Sequence, residues 1–84
     1  MQLPEPGDRI RSGAYATIVK VMPPNEVGNV RCIVVDDQGR LGWIMYYPTG
    51  TRSNVNRYRT DEAEALRAEL AAEGLLEPLQ EDES

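Results

Sequence analysis

The chain has 84 residues, 40% hydrophobic and 27% charged, which is the size and composition of one small globular domain. It has one cysteine and no histidine, so an internal disulfide, a Ser-His-Asp or Cys-His catalytic pair, and a zinc site of cysteine and histidine are all excluded. No apolar run reaches about 18 residues, and we therefore expect no membrane span, no signal peptide and a cytoplasmic location.

The net charge of −5 conceals a change of sign along the chain. Residues 1–59 hold five acidic and eight basic residues, whereas residues 60–84 hold nine acidic residues and one base, Arg67. A mildly basic body is therefore followed by an acidic C-terminal segment. This asymmetry says more about the partners of the protein than the total charge does.

In chain order, the elements begin with an extended lead-in over residues 1–6, because two prolines and a glycine fall within the first seven residues. A single domain is predicted over residues 7–77, and a short acidic tail over 78–84. Runs rich in β-branched and aromatic residues, separated by glycine and proline, predict the strands. Those strands are predicted at 8–12, 14–22, 30–36, 41–47 and 51–58.

The two central strands are predicted to form a hairpin. Residues 37–39, Asp-Gln-Gly, fit a three-residue loop in which a type I turn is followed by glycine in the left-handed conformation. This loop places Asp36 opposite Arg40 and Val34 opposite Gly42. Both faces of the hairpin are apolar, which predicts that the rest of the sheet covers one face and a helix covers the other.

That helix is predicted over about residues 61–73, a segment dense in strong helix formers. Thr60 or Asp61 is expected to cap its start, and Gly74 to end it in the left-handed conformation. We expect its apolar stripe to pack against the face of the sheet that carries Trp43. The stripe consists of Leu66, Leu70 and Leu75.

Residues 6–21, PGDRIRSGAYATIVKV, resemble the opening of KOW and other SH3-like barrels, with Gly7, Asp8, Gly13 and Val19 or Val21 as the matching residues. Those barrels begin with a Gly-Asp turn, a short strand, a glycine and a β-branched strand. The resemblance implies five short strands in a half-open barrel and a role in binding. The predicted fold class is α+β and mainly β: an SH3-like five-stranded barrel or a curved antiparallel meander with one C-terminal helix.

The chemistry of the chain favours binding over catalysis. Cys32 lies within an apolar strand, where burial raises the pKa of a thiol and makes it inert. Asp36 and Asp37 are expected to serve as turn residues, because consecutive strand side chains point apart. We therefore expect no enzymatic activity, no cofactor and no metal.

In the favoured function, the chain binds another protein through its acidic helix and a barrel edge. Small intracellular proteins with an acidic helix and no catalytic residues resemble the accessory and inhibitor proteins encoded by phages and mobile elements. The candidate acidic surface consists of Glu69, Glu73 and Glu77.

In the alternative function, the chain is a nucleic-acid-binding module in which tyrosine stacks on bases and arginine neutralises phosphates. Its candidate residues are Arg52, Arg57, Tyr58 and Arg59. The same residues also fit an exposed sheet edge, and Trp43 fits the core better than a site. The net charge of −5 opposes binding of a polyanion and so favours the protein partner.

Overall fold

The computed structural model describes residues 3–76. Over this range the elements are β1 (Arg9–Ser12), β2 (Ala14–Val21), β3 (Val30–Asp36), β4 (Leu41–Tyr46), β5 (Asn56–Arg57) and the helix α1 (Thr60–Ala72). The strands pair antiparallel in sequence order as one sheet, which confirms the mainly β class and the meander. Within residues 3–76 no pairing joins β1 to β5, so the pairings leave the sheet open and do not close a barrel.

The hairpin of β3 and β4 has the predicted register. Val34 lies opposite Gly42, and the backbone N–H of Asp36 donates to the carbonyl of Arg40 at 3.0 Å. Gly39 has a φ of 83°, as the left-handed position of the loop requires. This register follows from local sequence, because the length and glycine of the loop fix which residues face each other.

The strand β2 contains a bulge at which two consecutive residues are buried, one on each face of the sheet. Its register against β3 shifts between Ile18 and Lys20, so that Val19 is an extra residue in the ladder. Ile18 and Val19 are both buried, and they belong to separate apolar clusters. Each face of the sheet therefore receives a side chain from this point.

The first cluster contains Cys32, which is 0% exposed as predicted. Burial raises the pKa of its thiol, which keeps the sulfur protonated. Leu3, Ile10 and Val55 pack against this cluster from the lead-in, β1 and the segment before β5. Its buried members are Ala16, Ile18, Val30, Cys32, Val34 and Ile44.

The second cluster joins the helix to the other face of the sheet. Leu70 is 1% exposed and packs with Val19, Ile33 and Leu41. Leu66 packs against the same cluster. The helix therefore covers the predicted face, and Leu66 and Leu70 make the predicted contacts.

The third leucine of the stripe was predicted wrongly: Leu76 packs against the second cluster, whereas Leu75 is 40% exposed. The reason lies in the end of the helix. Gly74 takes the left-handed conformation, and the N–H groups of Gly74 and Leu75 donate to the carbonyls of Ala71 and Leu70. This stop turns the chain so that the side chain after Leu75 reaches the sheet.

The helix start also differs from the prediction, because Arg59, and not Thr60 or Asp61, is the N-cap residue. Arg59 has extended backbone angles, and its N–H donates to the carboxylate of Glu62 at 3.3 Å. An acid three residues after the cap satisfies an N–H that the helix leaves unpaired. Glu62 thus fixes the cap at Arg59, one residue before the first of the predicted cap residues.

The fifth strand is shorter than predicted, because only Asn56–Arg57 of residues 51–58 forms a strand on β4. Arg52 makes one isolated bridge to Tyr46. Between this bridge and the pair of Asn56 with Trp43, the segment has four steps where β4 has three, so one extra residue breaks the ladder. Ser53 spans the break, since its hydroxyl accepts the N–H of Met45 at 3.0 Å.

Candidate functional site

Two grooves run along the flanks of α1 where it lies on the sheet. The arginine groove has a volume of about 260 Å³ and is named for Arg40, Arg57 and Arg67. The acidic groove is more open, has a volume of about 470 Å³ and is named for Glu62 and Glu69. The two flanks use different helix positions, at the spacing of successive turns, so one helix presents two surfaces of different charge.

In the acidic groove, an aromatic side chain lies under a cation from the same chain. The Arg31 guanidinium carbon is 4.6 Å from the centroid of the Trp43 ring, within the range of a cation–π contact. Trp43 is half-buried, and Leu66 lies beside it on the helix. Trp43 therefore forms part of the wall between sheet and helix, while Glu62 and Glu69 stay exposed at the rim.

Tyr58 lies between the two grooves and lines both. It is half-buried and packs against the second cluster. Burial raises the pKa of its hydroxyl, and a hydrogen bond and the positive charge of Arg31 partly oppose this rise. The ring of Tyr58 is thus built into the contact between helix and sheet.

The predicted arginine strip is divided among different parts of the fold. Arg52 donates to the carbonyl of Arg11 in β1 at 2.9 Å. Arg57 pairs with Asp36 at 3.5 Å, and Arg59 lies 3.8 Å from Asp61 at the start of the helix. Their role in binding nucleic acid stays a prediction, but each guanidinium already has a partner within the fold.

The predicted acidic surface is also divided. Glu69 is exposed at the acidic groove. Glu73 pairs with Lys20 of β2 at 2.8 Å and so fastens the end of the helix to the sheet. Glu77 lies outside the described residues. Glu69 is therefore the member of the predicted trio that the structure places on an accessible groove.

Asp36, at the end of the β3–β4 hairpin, is surrounded by hydrogen-bond donors and positive charge. It accepts from the N–H groups of Gln38 and Arg40 at 2.9 Å, and its Oδ2 receives Arg40 Nε at 3.0 Å. Arg57 Nη2 lies 3.5 Å from the same oxygen. Burial raises the pKa of Asp36, but these backbone and side-chain hydrogen bonds outweigh it and lower the pKa below its usual value.

The low pKa of Asp36 predicts a loss of stability in acid. A carboxyl whose pKa is lower folded than unfolded stabilises the fold above the unfolded value, about 3.9, and this contribution disappears as the pH falls through the folded value. We expect Asp36→Asn to reduce the slope of unfolding free energy against pH below about pH 3.9. Urea denaturation at a series of pH values across this range measures the slope. Equal slopes in both proteins would show that Asp36 does not contribute.

Sequence reasoning missed Arg40 and Arg67 as members of a site. Arg67 donates from its guanidinium to the carbonyl of Gly39, 28 residues away in the chain. One signal was present in the sequence, because Arg67 is the single base among the last 25 residues. Its partner, however, is found only once the packing of the helix is known.

No family model, curated protein or solved structure matches this chain. Over residues 3–76, α1 falls short of the length and hydrophobicity that a membrane-crossing helix needs. A function for this chain is therefore inferred from the charges and contacts of the two grooves.

Proposed function

We propose that this is a non-enzymatic, cytoplasmic protein-binding protein, an accessory or inhibitor protein that binds a basic surface of its partner through the exposed acidic side of α1. One observation carries the proposal: Leu70 fixes the helix to the sheet at 1% exposure, while acids on the outer side of the helix and along the acidic groove remain exposed. Those acids are Asp61, Glu62 and Glu69.

A helix held in this way presents its charges in a fixed arrangement. The packing of Leu66 and Leu70 fastens its middle, and the pair of Glu73 with Lys20 fastens its end. Binding then orders few additional groups, so more of the interaction energy remains as affinity. An acidic face also steers a basic partner during diffusional encounter.

The nucleic-acid alternative has weaker support. A phosphate approaching Arg59 would compete with the carboxylate of Asp61. Tyr58 would have to leave the second cluster to stack on a base. The acidic helix follows directly after these residues and repels the phosphate backbone over a Debye length of about 8 Å at physiological salt.

Charge reversal of Glu69 tests the protein-binding proposal. Partners are crosslinked in lysate of the source cells, identified by mass spectrometry, purified, and titrated calorimetrically against the wild type and Glu69→Lys. We expect Glu69→Lys to weaken binding at least about tenfold, or about 1.4 kcal/mol. Glu26→Lys makes the same charge change in an exposed loop and should leave the affinity within about threefold of the wild type, about 0.65 kcal/mol.

Two results would overturn the proposal. One is an equal loss of partner affinity in Glu69→Lys and Glu26→Lys, which would mean that only the net charge of the protein matters. The other is binding of a labelled single-stranded oligonucleotide, measured by fluorescence anisotropy, tighter than about 10⁻⁴ M at physiological salt, the weak limit of non-specific binding. Loss of this oligonucleotide binding on replacing Arg52, Arg57 and Arg59 with alanine would establish the alternative.

A further inference from the structure

We propose that the arginine groove is a binding site for a small ligand that carries an oxyanion, a phosphate or a carboxylate, on an apolar body. The groove lies between the hairpin end, β5 and the first half of α1. It is on the opposite flank from the acidic groove, so this site does not depend on the proposed protein-binding function.

Three guanidinium groups line the groove: those of Arg40 just before β4, Arg57 in β5 and Arg67 in α1. Arg40 and Arg57 share the single carboxylate of Asp36, whose side chain is 13% exposed. Arg67 is held by the carbonyl of Gly39, which positions the group without cancelling its charge. Each guanidinium has five N–H donors in a planar fork. These contacts engage one nitrogen of each guanidinium, so each arginine has further N–H donors beyond its contact within the fold.

The charges of the groove sum to an excess of one positive charge. Three arginines face the carboxylates of Asp36 and Glu64, and Glu64 is exposed at the rim. Thr60, the first residue of α1, also lines the groove, where Asp61 and Glu62 of the same turn offset the positive end of the helix dipole, so the positive charge of the groove comes from its arginines. An anion is therefore favoured over a cation or a neutral ligand. Arginine forks bind carboxylate and phosphate by paired hydrogen bonds.

The rest of the lining sets the shape of the ligand. Leu41 is buried at the base, and Ala63 and Tyr58 add apolar surface. The volume of about 260 Å³ lies just below the range of about 300–1,000 Å³ typical of drug-sized ligands. A single ring or short chain bearing one oxyanion fits this combination of apolar floor and arginine rim.

NMR titration of the ¹⁵N-labelled protein with phenyl phosphate tests the site. We expect saturable shifts of the Gly39 amide and of the arginine side-chain resonances, with a Kd of about 1 mM or tighter. Parallel titrations with benzoate and inorganic phosphate distinguish carboxylate from phosphate recognition, and phenol supplies the neutral control. Shifts that do not saturate, or that phenol reproduces, would overturn the proposal.

Two substitutions should change the affinity in opposite directions. Arg67→Gln removes a guanidinium and should weaken phenyl phosphate binding about tenfold, whereas Glu64→Gln removes a repelling carboxylate and should strengthen it severalfold. Glu26→Gln makes the same charge change as Glu64→Gln at the far end of β3 and should leave the affinity unchanged.

If Arg67→Gln fails to fold, the comparison of Glu64→Gln with Glu26→Gln still tests the site. Glu64 is exposed, and its replacement leaves the Arg67 contact intact. Equal effects of Glu64→Gln and Glu26→Gln would show general charge attraction in place of a site, and would overturn the proposal. Loss of partner binding in Glu69→Lys has no bearing on this outcome, so the protein-binding proposal and the oxyanion-site proposal can fail separately.

Discussion

Replacing Leu70 with alanine is expected to lower the free energy of unfolding by about 2–5 kcal/mol, the usual cost of truncating a buried leucine. Leu70 is 1% exposed and is the one helix residue fully buried against the sheet within the described range. The change leaves a cavity beside Ile33 and Leu41 in the second cluster. Urea denaturation followed by circular dichroism measures the loss.

Leu75→Ala is the matched control, since it makes the same chemical change five residues later at a side chain that is 40% exposed. Surface substitutions of this kind usually alter stability by no more than about 0.5 kcal/mol. Similar losses in both variants would contradict the packing described for the helix end. A loss below about 0.5 kcal/mol for Leu70→Ala would mean that the helix does not dock on the sheet.

Gly42→Ala is expected to destabilise the protein by about 1–3 kcal/mol, as overpacking does in well-packed regions. A methyl group at Gly42 would lie 2.6 Å from the backbone oxygen of Asn56 and 3.1 Å from Val55 Cγ1. The backbone oxygen has no rotamer by which to move away. We therefore expect β5 to separate from β4, with faster hydrogen exchange of the Tyr58 amide, which donates to the Leu41 carbonyl.

The double variant Gly42→Ala/Val55→Ala separates the two contacts. Truncating Val55 removes the side-chain clash and leaves the clash with the Asn56 carbonyl oxygen. The double variant should therefore remain less stable than Val55→Ala alone. Full recovery of stability, measured in the same urea melts, would show that the close approach of β5 to Gly42 is not a backbone contact.

The sequence predicted those parts of the fold that short-range rules determine. The hairpin register followed from its loop, and the helix end followed from Gly74. The start of the helix was missed by one residue, because Arg59 is not a residue preferred at a cap and only the reach of Glu62 selects it. The break at Ser53 was missed because the serine hydroxyl accepts the N–H of Met45 in place of a backbone carbonyl. A serine that does this looks, in the sequence, like any polar residue of an exposed strand.

The candidate site was harder to predict because its members are distant in the chain. Glu69 was identified, since an exposed acid on a helix is visible in the sequence. The arginine groove was not, because it needs Arg67 of the helix beside Gly39 of the hairpin. Which helix face carries a site depends on which face docks, and that choice is made by tertiary packing.

The two edges of the sheet bear on self-association. An exposed strand edge is a template to which another copy can add a strand, and short edges with charged residues reduce that risk. Here β1 has four residues, including Arg9 and Arg11, and β5 has two, including Arg57. The break before β5 shortens that edge further. The same irregularity that makes the last strand shorter than predicted thus limits growth of the sheet into an aggregate.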